Sequence, residues 1–301
     1  MKHLLYSLFA LFLLVGFSAC DDDSPTDPVD ADVSPPSTIR ASSADQAIIL
    51  NWSPSSSESQ ENFDGYQVHV LNKSTNVFFI EKAPKGSGYT VRNLDNGTRY
   101  TITVRAVTKL GKESATFVQI EWAPAIRRSV DAQNQVIRVY ATTSTTFNSG
   151  IDLFNSEGKA EVIPQSGQAF KDRGDLFVYA PDNNSQFLSI RSPHTAANQG
   201  LETQFSTVTY DANSLDESFA TTSPQIASYT KTDVSVTGAT VPMGLVLYGR
   251  LKRGTDHQYF RLCVKRDPAT GKLVRGVGAD RYIEMEVSFQ LEKNVPFSKK
   301  H

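Results

Sequence analysis

Between residues 281 and 292 every second side chain is apolar. Ile283, Met285, Val287, Phe289 and Leu291 fall on one side of an extended chain, and Tyr282, Glu284, Glu286, Ser288 and Gln290 on the other. A period of two marks a strand with one buried face, because successive Cβ atoms point to opposite sides of a sheet. The pattern recurs upstream. Tyr66, Val68 and Val70 alternate with Gln67, His69 and Leu71, and Ile102, Val104 and Ala106 alternate with Thr101, Thr103 and Arg105. Turn residues separate the runs at Asp64-Gly65, Pro84-Lys85-Gly86, Asn96-Gly97 and Leu110-Gly111. Short strands at this spacing bury their apolar faces by pairing sheets, so the chain is expected to be all-β and built of sandwiches.

A length of 301 residues implies two such units, at about 100–200 residues each. Lys and Arg number 30 against 32 Asp and Glu, with no basic run. Binding a duplex by counterion release needs a concentrated basic face, so nucleic acid is not expected as a partner. Two cysteines exclude a scaffold stapled by disulfides.

At the amino end, Lys2 and His3 precede an apolar run from Leu4 to Phe17, which closes on the small residues Ser18 and Ala19. The run is shorter than the roughly 20 residues that cross a bilayer, and it has the layout of a secretory signal. Cys20 follows directly. The four residues Phe17-Ser18-Ala19-Cys20 resemble a bacterial lipoprotein box, with Phe17 where the family prefers Leu. The resemblance implies cleavage after residue 19 and diacylglycerol on Cys20, an anchor to which more than one acyl chain would contribute. Asp21-Asp22-Asp23 resembles the acidic signal of surface-exported lipoproteins of the Bacteroidetes group. In enteric bacteria an Asp at that place would instead favour retention at the inner membrane, and a plain solvated spacer is the third reading. Residues 20–36, rich in Asp, Ser and Pro, are expected to be an extended tether.

Residues 37–123 carry a more specific pattern. Trp52 closes the apolar run Ile48-Ile49-Leu50-Asn51-Trp52, Asp64-Gly65-Tyr66 opens the next strand, and Leu94-Asp95-Asn96-Gly97-Thr98-Arg99-Tyr100 follows. This resembles a fibronectin type III domain, an immunoglobulin-like sandwich whose signature is a core Trp and a Leu, turn, Gly-Thr-x-Tyr corner. The resemblance implies that Leu94 plugs the core and that the Tyr100 hydroxyl bonds a backbone carbonyl at the corner. It also implies that Trp52 and Tyr66 are core residues, and that the module is a spacer or contact surface without chemistry of its own.

Residues 124–301, after a short linker at Pro124 and Arg127-Arg128, are expected to form a second two-sheet or jelly-roll-like sandwich. The expected strands are Val136–Tyr140, Gly150–Phe154, Ala160–Ile163, Leu176–Ala180, Phe187–Ile190, Thr207–Tyr210, Ile226–Thr230, Met243–Leu251, Tyr259–Lys265 and Arg281–Glu292. No stretch reads as an amphipathic helix of ten residues.

Chemistry-bearing patterns are sparse. No His-x-x-x-His or Cys-x-x-Cys spacing occurs, so no zinc site is expected, and no Gly-x-Ser-x-Gly elbow is present. Cys263 lies in register with Arg261 and Lys265, which would lower its pKa, yet no base is suggested nearby, and a structural thiol is expected. Glu284 and Glu286 share a strand face. Laminarinase-like enzymes would place a further acid where Phe289 stands, so a solvated face is expected rather than a glycosidase pair. Asp182-Asn183-Asn184-Ser185 is expected to be an ordinary loop rather than a calcium site, and Arg173-Gly174-Asp175 a turn rather than an integrin motif. Tyr179, Tyr229, Tyr248 and Tyr259 are candidates for exposed aromatics that stack on sugar rings.

The expectation is a lipid-anchored envelope protein, on the outer membrane or cell surface, with no catalytic, metal or cofactor site. It would act as a non-catalytic binding or adhesion module for a carbohydrate or protein ligand. A polysaccharide hydrolase and a purely structural envelope component are the alternatives.

Overall fold

A computed structural model of the chain describes residues 30–194 and 201–298. The signal segment 1–19, Cys20 and Asp21-Asp22-Asp23 lie outside the described residues. The fold is nearly all-β, with eighteen strands, an α-helix of six residues and two short 3-10 turns among the named elements of the described residues.

Seven strands form the first sandwich. Strands β1 (Ser37–Ala44), β2 (Ala47–Ser53) and β5 (Gly88–Val91) make a three-stranded sheet in the order β1-β2-β5. Strands β3 (Phe63–Asn72), β4 (Phe78–Ala83), β6 (Tyr100–Thr108) and β7 (Val118–Trp122) make a four-stranded sheet in the order β4-β3-β6-β7. The alternation decides which side chains lie between the sheets: Val68, Val70, Ile102 and Val104 are buried. Trp52 and Tyr66 meet edge to face at 5.3 Å in the same core. Trp52 Nε1 donates to Gly86 O, and the Tyr66 hydroxyl donates to Glu58 Oε1, so neither buried ring leaves its polar atom unpaired. Leu94 plugs the core beneath the corner. The corner differs from expectation in one bond: the Tyr100 hydroxyl accepts from the Asp95 backbone N–H at 3.0 Å. Asp95 lies five residues upstream in the turn, and its N–H, rather than a carbonyl, faces the ring.

The second unit also has two sheets. One runs β11-β10-β12-β13-β15, built from β11 (Glu161–Ile163), β10 (Gly150–Asp152), β12 (Leu176–Tyr179), β13 (Phe187–Arg191) and β15 (Asp233–Thr237). The other runs β14-β16-β17-β18-β8, built from β14 (Thr203–Tyr210), β16 (Leu245–Arg253), β17 (Asp256–Val264), β18 (Tyr282–Phe289) and β8 (Ile126–Arg128); β9 (Arg138–Tyr140) also pairs with β18. Side chains of both sheets share one core, including Leu188, Ile190, Leu247, Leu262, Met285 and Val287. Helix α1 (Gln168–Arg173) inserts Phe170 against Phe177 beside it.

Three sequence expectations are corrected here. Residues 226–228 form a short 3-10 turn instead of a strand. The strand in that region is β15, whose Val234 and Val236 alternate too briefly to stand out. The pair Arg127-Arg128 is part of β8 rather than of a linker, and pairs with Val287 and Ser288.

The third correction concerns the outer face of the six-stranded sheet. Glu284, Glu286, Ser288 and Gln290 are not solvated but buried. So are their cross-strand neighbours Tyr248, Tyr259, Arg261 and Cys263. The first sandwich and residues 211–220 cover all of them but Glu284, which Arg138 and Arg275 enclose. Ala41 of β1 exchanges backbone bonds with Ala220 at 2.9 and 3.0 Å. Tyr229, Tyr248, Tyr259 and Phe297 join the same core cluster as Trp52, Tyr100 and Trp122. Arg261, fully enclosed, donates to Ser42 Oγ, Ser218 O and Ser218 Oγ and lies over the Tyr248 ring. At the corner turn Gly97 has φ +80°, and a Cβ there would sit 2.4 Å from Glu292 Cγ. A glycine is required both for that backbone angle and for the approach of the second unit.

Candidate functional site

The alternation of β18 runs from covered to open. Its far end, Tyr282 and Glu284, lies beyond the first sandwich and pairs with β9, placing Tyr282 opposite Tyr140 and Glu284 opposite Arg138. Tyr140 and Tyr282 lie 5.0 Å apart, and Phe147 stacks on Tyr140 at 4.1 Å with 17° between planes. The Arg138 guanidinium sits 4.5 Å above the Tyr282 ring and donates to Glu284 Oε1 at 2.7 Å. Arg275 donates to the other Glu284 oxygen. The hydrogen bond to Glu284 holds the Arg138 pKa above its ordinary value.

The turn before Phe147 fixes the ring. Ser144 Oγ donates to Asp280 Oδ1 at 2.7 Å and accepts from the Phe147 N–H, and Thr143 Oγ1 donates to Ala279 O. Phe147 remains 46% exposed and Val277, on the facing loop, 85%. Val277 also lines a hollow of about 280 Å3, with Asn183, Asn184, Gln186, Gly276 and Arg281. Gly276 borders the Tyr282 ring: a Cβ there would stand 3.2 Å from Tyr282 Cδ1. The assembly is a preformed patch of ring faces beside a guanidinium. It suits the CH-rich face of a sugar ring or an apolar side chain.

Of the tyrosines singled out in the sequence, Tyr229, Tyr248 and Tyr259 are buried between the two units and are no platform. Tyr179 is half-buried beneath Arg191, 3.7 Å from its ring centre. The residues that form the patch, Tyr140, Phe147 and Tyr282, were not singled out. Their juxtaposition depends on the β9–β18 register, which no local pattern encodes.

The two carboxylates singled out on one face of β18, Glu284 and Glu286, are both committed. Glu286 Oε1 accepts from Lys265 Nζ at 2.9 Å, and Oε2 accepts from the Leu215 N–H and Ser214 Oγ. Burial pushes the Glu286 pKa up, but the Leu215 N–H, Lys265 and Ser214 outweigh it and leave the group below the usual carboxylate value. A glycosidase acid needs the opposite shift.

Arg173-Gly174-Asp175 closes α1 and turns into β12. Asp175 is wholly buried and accepts from Arg253 Nη2 at 3.0 Å and from the Leu153 N–H at 2.8 Å. Arg173 joins Asp152 and Glu161. The tripeptide is therefore a structural turn and displays no acid to a partner. In the loop from Asp182 to Ser185 the Asp182 Oδ1 accepts from the N–H groups of Asn184 and Ser185, while Arg281 donates to the carbonyls of Asp182 and Ser185. A side-chain cation thus takes the oxygens that a metal would need. Among the described residues no three His, Cys, Asp or Glu side chains converge as a metal site.

Cys263 is buried and donates weakly to Ala212 O at 3.4 Å. Burial, reinforced by Glu286, pushes its thiol up to about 12, against the opposing effect of Lys265, Arg261 and Arg127. The native protein is expected to leave this thiol unmodified by iodoacetamide at pH 8 over hours, and to react fully in denaturant. Rapid native alkylation would contradict the burial.

The sequence model described as fibronectin type III domain matches residues 34–121. Among solved structures, the FN5 domain of Drosophila Lar is similar, at 20% identity over 31% of this chain and 97% of that one, with a TM-score of 0.25. A two fibronectin type-III domain segment from chicken tenascin is similar at 12% identity over 83% of this chain and 97% of that one, with a TM-score of 0.26. No curated protein matches the chain. The sequence match, the Leu94–Tyr100 corner and the three-plus-four strand arrangement together identify residues 34–121 as a fibronectin type III domain.

Proposed function

We propose that this is a lipid-anchored bacterial envelope protein, acylated at Cys20 and displayed at the outer membrane or cell surface, that binds a carbohydrate or protein ligand without transforming it. Fibronectin type III domains are common non-catalytic binding and adhesion modules. The observation that carries the reading is the Phe147–Tyr140–Tyr282 patch, a preformed and partly open aromatic surface on the unit that the fibronectin type III domain leaves uncovered at that end. Residues 30–36, expected to belong to a free tether, instead dock on the first sandwich, with Val33 buried in its core and Ser34 bonded to Ser55 and Ser57. Asp30 accepts from Thr108 Oγ1 at 2.7 Å and Asp32 pairs with Lys112 at 2.7 Å, so the chain leading back towards Cys20 leaves from the β6–β7 turn of the first sandwich.

Residues 21–301 are to be screened on glycan and surface-protein arrays. Binding is expected, and Phe147→Ala or Tyr282→Ala should weaken it at least tenfold, the loss of one well-packed aromatic contact (about 1.4 kcal/mol or more), with little change in Tm. A ligand bound equally well by both variants would remove the patch from the reading. The anchor is tested separately: labelled palmitate should enter the full chain and not a Cys20→Ser variant.

A further inference from the structure

Among the described residues, three of the four sheet edges of the fibronectin type III domain are protected and one is bare. Strand β1 is bridged by Ala220 and β7 by Ser298. Strand β5 has four residues, and short edge strands are a known protection against edge pairing. Strand β4 has six residues, Phe78-Phe79-Ile80-Glu81-Lys82-Ala83, pairs only with β3 in its sheet, and keeps continuous register without a bulge or proline. Its outer face is apolar and open: Phe78 is 53% exposed and Ile80 49%, with Val77 60% exposed just before the strand. An edge strand of this composition is a template for a further strand.

We propose that the occupant is β4 of a second copy of this chain, paired antiparallel about a two-fold axis at Ile80. Such an axis keeps the outer faces of both sheets on one side, so residues opposite one another share a face. With Ile80 opposite Ile80, Phe78 of each copy meets Lys82 of the other, an aromatic ring beside an ammonium group. Moving the axis one residue on would set Glu81 against Glu81, which like-charge repulsion disfavours. Lys82 is free to take this role. Its present partner Asp64, at 2.5 Å, forms an exposed pair, and such pairs contribute little. The join would fuse two four-stranded sheets into one of eight.

The test uses residues 21–301, which retain every residue described. Sedimentation equilibrium should show a reversible dimer, and Ile80→Lys, which places two like charges on the axis, should raise the dissociation constant at least tenfold while far-UV circular dichroism is unchanged. Opposed Cα atoms in antiparallel pairs lie within disulfide range. Ile80→Cys should therefore oxidise to a covalent dimer much faster than Phe78→Cys, whose partner is Lys82. The buried Cys263 does not compete. A monomer at millimolar concentration, a dimer indifferent to Ile80→Lys, or equal cross-linking at both positions would each overturn the proposal. So would dimerisation that begins only when residues 21–29 are removed, which would assign the edge to the chain's own amino-terminal segment.

Discussion

Phe297→Ala will destabilise both sandwiches together, by about 3–5 kcal/mol, the usual loss for emptying a fully buried Phe site. Phe297 lies close to the carboxyl end of the chain, yet it completes the core of the amino-terminal domain. It has no solvent exposure, meets Tyr248 edge to face at 6.0 Å, and its carbonyl accepts from the Ala123 N–H at 2.8 Å. The two tryptophans of the chain, Trp52 and Trp122, both report on the fibronectin type III domain. Tryptophan fluorescence and far-UV circular dichroism should follow one coincident unfolding transition, lowered by roughly 10 °C in the variant. Two separate transitions, or tryptophan fluorescence unmoved by the substitution, would show that the units fold independently. The same packing means that residues 124–301 alone would expose Tyr229, Tyr248, Tyr259 and Phe297 to water, so ligand screens belong on the chain that keeps both units.

Asp175 should give the protein an unusual pH dependence. Burial pushes its carboxyl up to about 7, with Arg253 opposing the shift and Asp152 adding to it. A folded-state pKa above the unfolded value of 3.8 means that the native state binds the proton more tightly. The stability from this group is therefore fully present below about pH 4 and is lost as pH rises through 7. A shift of this size corresponds to at most about 4 kcal/mol. Other groups run the other way: Glu161 and Glu202 are held below the usual carboxylate value by Arg173 and Lys252, and contribute stability that is lost on acidification. The Asp175 effect is thus read as a difference. The stability advantage of wild type over Asp175→Asn, from urea midpoints between pH 4 and 8, should shrink as pH rises. A difference that stays flat across that range would show that Arg253 keeps Asp175 ionised throughout.

Much of the architecture was legible because it is local. The Leu94–Tyr100 corner, the core places of Trp52 and Tyr66, and the inward set Ile283, Met285, Val287 and Phe289 follow from strand period and turn chemistry. Cys263 was legible as a structural thiol, since an apolar strand surrounds it; the direction of its pKa was not, because burial outweighs the neighbouring cations. The readings that failed on the outer face of the six-stranded sheet share one cause. Glu284, Glu286, Tyr248 and Tyr259 look like a solvent face on their own strands, and only a distant part of the chain covers them.

Alternation and turns, acting over neighbours in sequence, settled by themselves that this chain pairs sheets, and where its first domain lies. Which outer face stays wet, which rings meet, and which strand edge is left bare were decided by tertiary contacts such as Arg261 to Ser42, 219 residues apart. A period of two says that a strand has two faces, but it carries no information about what arrives later to cover the second one.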